Sequence, residues 1–188
     1  FTMYHRPHST QVGGVMLIYG GDDRVFHNIF VGSTRQVWQD GAYGTACYKA
    51  YSHEAAAKGM DNDTPTADLG RTLPVTAREN LYLNGAESWE HERDPRALPD
   101  FRAEISVEEQ DGHLWLCTNL DEIADALDAW RVDRVTTAQL GKAFEPDQPF
   151  ENRDESPYTA DAALLGRPRP QKTWIGPFEG RCRRVRLV

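Results

Sequence analysis

The chain is poor in cysteine, in positive charge and in long apolar runs, and each shortage removes a class of protein. It has 188 residues and three cysteines. Cys47, Cys117 and Cys182 stand at unrelated spacings, which gives neither a disulfide framework nor a paired zinc site, so they read as free thiols. Basic residues number 21 against 29 acidic ones, a formal charge of −8. That balance lacks the basic footprint of a non-specific nucleic-acid binder. Its one basic cluster, Arg181, Arg183, Arg184 and Arg186, reads as a solvated end of the chain. The longest apolar run, Val15 to Tyr19, is strand-sized and far short of the roughly 18 residues of a membrane helix. Neither a membrane span nor a secretory signal is expected, and the compartment stays open between secreted, periplasmic and cytoplasmic in a bacterium. The glycine-framed serine of a nucleophile elbow, the phosphate-cradling GxxxxGK loop and the dinucleotide GxGxxG turn are all missing.

Hydrophobic residues make up 39%, close to ordinary globular usage, which argues against disorder throughout. The most informative feature is a repeat. Arg24-Val25-Phe26-His27-Asn28-Ile29-Phe30-Val31-Gly32 lies on Thr76-Ala77-Arg78-Glu79-Asn80-Leu81-Tyr82-Leu83, followed by Asn84-Gly85. Both copies run small apolar, two free positions, asparagine, aliphatic, aromatic, aliphatic, then glycine. A parallel β-helix produces such a pattern, because each coil presents a short strand, a bend and another short strand. Asparagine at the bend tolerates left-handed backbone and pairs its amide with the asparagine of the next coil. A single coil cannot bury its apolar side, so neighbouring coils are required. The bland alternative is two ordinary strands of a β-sandwich.

Residues 1–85 are therefore read as terminal β-helix rungs carrying a long inserted loop at 33–75, with a short helix over Ser52 to Lys58. After Gly85 the pattern changes. Asp111-Gly112 between alternating runs predicts a hairpin, with Ile105 and Val107 on one face and Leu114 and Leu116 likewise. Leu120 to Trp130 has helical spacing, and Thr137 to Gly141 reads as a turn closed by glycine. Residues 86–188 are thus expected to form a hairpin, a short helix and an extended, sandwich-like β-rich cap. The fold class is mainly β. Since strands are already expected from residue 12, the chain is expected to be a piece of a longer protein, with an upstream β-helix as its partner in the same polypeptide.

Tyr4-His5-Arg6-Pro7-His8-Ser9-Thr10, Gly20-Gly21-Asp22-Asp23-Arg24 and Asn28-Ile29-Phe30-Val31 resemble late rungs of bacterial right-handed parallel β-helix carbohydrate enzymes. So do Thr136 to Ala143, Gly166-Arg167-Pro168-Arg169 and Gly176-Pro177-Phe178 at the other end. The nearest resemblance is to glycoside hydrolase family 120, the β-helix β-xylosidases with an accompanying β-sandwich. It implies hydrolysis of a xyloside by an aspartate nucleophile and a glutamate acid/base. Neither maps onto a residue of this sequence, and both are expected before Phe1.

Three clusters carry candidate binding chemistry. His5 and His8 flank Arg6-Pro7 beside two hydroxyls; they suit a sugar-hydroxyl edge, or anchor a loop through backbone carbonyls. Asp22, Asp23 and Arg24 follow a glycine pair. Adjacent residues of an extended chain point opposite ways, so the two aspartates do not form a catalytic pair across a glycosidic bond. One is expected to brace the turn while the other pairs with Arg24, with a weak Ca²⁺ option as the only cofactor considered. Trp89 and Glu90, within Glu87-Ser88-Trp89-Glu90-His91-Glu92, fit a saccharide subsite if the indole is exposed, or an anchored polar loop if it is not. The competing functions are a β-helix polysaccharide lyase and a non-catalytic carbohydrate-binding β-sandwich.

Overall fold

The computed structural model describes residues 20–32, 44–53, 73–144 and 146–187. The protein is mainly β, built from short strands in small open sheets. Among the described residues the strands begin with β1 (Arg24–Phe26), β2 (Ile29–Val31), β3 (Thr76–Arg78), β4 (Leu81–Leu83) and β5 (Arg96–Ala97), with a 3₁₀ helix at Thr45–Ala50 between β2 and β3. β1 and β3 form one sheet, and β2, β4 and β5 another. No disulfide joins the three cysteines.

The second sheet follows the repeat residue for residue. β2 pairs with β4 in parallel, Ile29 opposite Leu81, Phe30 opposite Tyr82 and Val31 opposite Leu83. β5 adds a third parallel member, with Arg96 opposite Leu81. All three residues of β4 are buried, as expected for a central parallel strand covered on both faces. Leu81 and Leu83 turn to one side and Tyr82 to the other, which divides the interior into an apolar and a polar half.

Two compact units share the chain. One takes residues 1–25, 48–76 and 135–159, and the other 26–47, 77–134 and 160–188. The first holds a parallel bridge between His53 and Val75 and a one-turn helix, α2 (Thr137–Leu140). That helix is closed by a capping box between Thr136 and Gln139 and stops at Gly141, which has a φ of 72°. Most of the helix expected over Ser52 to Lys58, from residue 54 on, lies outside the described residues.

The second unit contains the apolar core. A 3₁₀ turn at Leu120–Ile123 leads into α1 (Ala124–Ala129). Leu120, Ile123, Ala124 and Leu127 pack with Leu81, Leu83, Trp174 and Ile175, each large side chain contributing about 1.5 to 3 kcal/mol by leaving water. The hairpin of β6 (Ile105–Gln110) and β7 (His113–Thr118) is present. Its turn places Asp111 and Gly112 at φ of 53° and 74°, the backbone that Asp-Gly favours. β8 (Val132–Asp133) pairs with β9 (Lys172–Thr173), and β10 (Arg184–Arg186) pairs antiparallel with β7. One face of this three-stranded sheet leaves Ile105, Val107 and Leu114 exposed; the other carries Trp115 among polar side chains.

Candidate functional site

The bends linking β1 to β2 and β3 to β4 in the second unit pair left-handed backbone with polar side chains. His27 and Glu79 adopt left-handed φ values of 56° and 54°, and Asp94, beside the third parallel strand, adopts 52°. Non-glycine residues pay for such backbone, so successive occurrences at equivalent bends mark a specified feature. His27 Nε2 donates to Glu79 Oε2 at 2.9 Å, with Arg78 at 3.6 Å from the same carboxylate oxygen. Arg78 also lies over the Phe26 ring at 4.3 Å.

Burial is the larger influence on His27 and lowers its proton affinity. Glu79 opposes that shift, while Arg78 and Arg169 reinforce it. The unfolded chain therefore takes up the proton more readily than the folded one. The stability this arrangement contributes is full above the ordinary histidine value of 6.5 and is lost as pH falls from there through the folded value. We expect His27→Gln to reduce the drop in melting temperature between about pH 7.5 and about pH 5.5. A slope identical to the parent's would assign that drop to other groups.

Next to the bends runs a column of amides ending in a buried acid. Asn28 donates to Asn80 Oδ1 from its backbone N at 2.8 Å and from Nδ2 at 3.1 Å. Asn80 passes its own side-chain amide to Glu92 Oε1 at 2.9 Å and its backbone N–H to the same oxygen at 3.2 Å. The other oxygen of Glu92 accepts from the Thr45 hydroxyl at 2.7 Å and from the Tyr82 hydroxyl. Trp89 N closes the group by donating to Thr45 Oγ1 at 2.9 Å. Burial first, and Glu92 second, push the Tyr82 phenol far up, so it stays a proton donor. Its ring stacks on Phe30 with centroids 5.3 Å apart. Asn28 stands at the exposed end of this network, while Asn80, Glu92, Thr45 and Tyr82 are buried and fix the position of β4 and its bend.

His5 and His8 lie outside the described residues. Asp22, in the first unit, has a φ of 58°. Its Oδ1 accepts from Arg24 at 2.6 Å and its Oδ2 from the Phe144 backbone at 2.9 Å. Arg24 reaches the carbonyls of Leu140 and Lys142 at 3.0 and 2.7 Å and covers the Phe150 ring. These two side chains clamp one segment to another. Asp23 is exposed, and its carbonyl accepts from Thr76 N.

Trp89 is only 3% exposed, with His91 edge-on at 5.1 Å. The indole is packed into the unit, as in the anchored-loop reading of this stretch. Glu90 is exposed, with His91 at 3.9 Å. The acid that matters structurally in this stretch is Glu92, which no local motif distinguishes from Glu87 or Glu90. Aligning the two repeat copies does place His27 against Glu79, and that was the available signal for the bend pair. Among the described residues no cluster suits a metal ion. Two clefts of the second unit, under Trp174 and beside Leu164, each have room for about one water molecule.

No protein-family model matches the chain, and no curated protein matches it in sequence. A solved structure of XylC in complex with xylose is similar over the whole of this chain, with a TM-score of 0.77 and 27% identity. The chain spans 29% of the length of that protein.

Proposed function

We propose that this chain is part of a xylose-processing carbohydrate enzyme, a β-xylosidase-like glycoside hydrolase of the family 120 type. The observation that carries this reading is the similarity of the entire chain to a segment of a protein bound to xylose. Within such an enzyme the chain supplies terminal rungs of a right-handed parallel β-helix, a β-rich cap and part of the wall around the sugar. The in-register parallel pairing of β2, β4 and β5 and the shared Asn28–Asn80 column support the rung assignment. The β-rich segment after Gly85 supplies the cover that an open rung end requires.

The reacting carboxylates must stand about 5 to 9 Å apart across the scissile bond. In Asp22 and in Glu92 both carboxylate oxygens accept from donors of the fold, so each is engaged in holding structure. The full-length protein is expected to release nitrophenol from a nitrophenyl β-xyloside and xylose from xylobiose. Absence of both, with unsaturated uronate products appearing from acidic polysaccharides, would replace this reading by the lyase one.

A further inference from the structure

The turn that leaves β4 carries a reactive dipeptide. Asn84 is the only asparagine of the chain followed by glycine. Asn84 and Gly85 have φ of 54° and 80°, and Ala86 N donates to the Leu83 carbonyl at 3.0 Å. Two successive left-handed residues inside a closed four-residue turn are what Asn-Gly adopts most readily. The same dipeptide is chemically fragile. Glycine has no side chain to shield its backbone nitrogen, so that nitrogen is able to attack the side-chain amide carbon of the preceding asparagine.

Such an attack requires the Asn84 side chain to swing towards Gly85, and the fold holds it elsewhere. Asn84 Nδ2 donates to the Ala103 carbonyl at 2.9 Å, and Asn84 Oδ1 accepts from Ala103 N at 2.9 Å. Both polar atoms of the amide are thus engaged by one backbone residue, itself buried in the apolar core. On the other side of the turn, Gly32 N donates to the Leu83 carbonyl at 2.9 Å, and Gly32 leaves no room for a Cβ against the Asn84 carbonyl. Gly85 is exposed, with nothing within 4 Å of where a methyl group would stand. Water therefore reaches the turn, while the tie to Ala103 restrains the amide.

We propose that Asn84 is a modification site, a spontaneous deamidation site held unreactive by Ala103, whose reaction makes any opening of this tie permanent. In the reaction, hydroxide takes the Gly85 N–H proton and the nitrogen forms a bond to Asn84 Cγ. The Cγ–Nδ2 bond then breaks, and the released group takes a proton from water and leaves as ammonia. Water opens the resulting five-membered imide at one carbonyl or the other, leaving aspartate or isoaspartate. The net change is one water consumed and one ammonia released. Either product replaces the donor that faced the Ala103 carbonyl by a carboxylate oxygen, so two acceptors meet with no proton between them. Isoaspartate also lengthens the main chain within the turn. Because the tie joins the end of β4 to the segment entering β6, its loss loosens the hairpin from the core.

Asp111-Gly112 is an internal control, since it is exposed and has φ of 53° and 74°, and aspartate closes the same ring by expelling water. The full-length protein is incubated at mildly alkaline pH, native and in concentrated urea, and mass-spectrometric peptide mapping follows both dipeptides. Asn84 is expected to react at least about tenfold more slowly in the native protein than in urea, with a smaller difference at Asp111. Gly85→Ala should stay intact at residue 84 in urea, because its methyl group hinders the attack. Asn84→Asp, the equivalent of one product, is expected to unfold at a lower urea concentration than the parent. The proposal is overturned by equal rates at Asn84 in the two conditions, by no reaction there in urea, or by the same slowing at both dipeptides. Reaction of the alanine variant at the parent's rate, or an Asn84→Asp variant as stable as the parent, overturns it equally.

Discussion

Glu92→Ala is expected to cost the second unit about 3 to 5 kcal/mol, because it removes one acid and strands four donors together. Asn80 N, Asn80 Nδ2, the Thr45 hydroxyl and the Tyr82 hydroxyl all point at this carboxylate. Thr45 and Asn80 are fully buried, and Tyr82 is 2% exposed, so water does not reach the freed groups without opening the structure. Glu92→Gln keeps the shape and one acceptor. It reverses polarity at the other oxygen, where two hydroxyls then need to accept, and about 1 to 2 kcal/mol is the expected loss. Urea unfolding followed by tryptophan fluorescence measures both. A loss below about 1 kcal/mol for alanine, or equal losses for the two variants, would mean that the network adds nothing to the packing of β4.

The contrast between Asn80 and Glu92 marks how far the sequence is legible. The asparagine, its strand and its partner Asn28 follow from aligning the two repeat copies, because a stack of parallel strands repeats its register in the chain. Asp111-Gly112 fixes the hairpin for a local reason of the same kind. Glu92 joins the network only because Arg93 comes back beside Arg78, and no local pattern encodes that return. The same holds for Trp89, whose burial depends on Thr45 and its surroundings, 44 residues away. The interleaving of two compact units, each assembled from three separate stretches, likewise follows from long-range pairing rather than from composition. Of the site candidates, Asp22 and Arg24 are legible in kind, since a carboxylate two residues from a guanidinium at a glycine turn is set to brace it. The groups they brace, at 140–150, are not. The arginine tail reads as one solvated cluster in sequence, and only the fold shows Arg181 and Arg183 paired with Asp125 and Asp121.

Gly44→Ala tests the wall of that network from the backbone side, with an expected loss of about 2 to 5 kcal/mol. Gly44 has a φ of 87°, and a Cβ there would stand 2.6 Å from the Glu87 carbonyl oxygen and 2.7 Å from Cε1 of Tyr82. Neither neighbour has room to retreat. The Glu87 carbonyl accepts from Ala46 N at 3.2 Å, and the Tyr82 ring is stacked on Phe30 and tied through its hydroxyl to Glu92. Gly85→Ala supplies the control, because its φ of 80° carries the same backbone penalty while nothing lies within 4 Å of the new methyl group. That variant should lose only about 1 kcal/mol. The difference between the two isolates the steric cost of crowding Tyr82, and equal losses in urea titrations would show that the ring yields freely. In that event the phenol would not be held rigidly enough for Glu92, Asn80 and Thr45 to fix the position of β4.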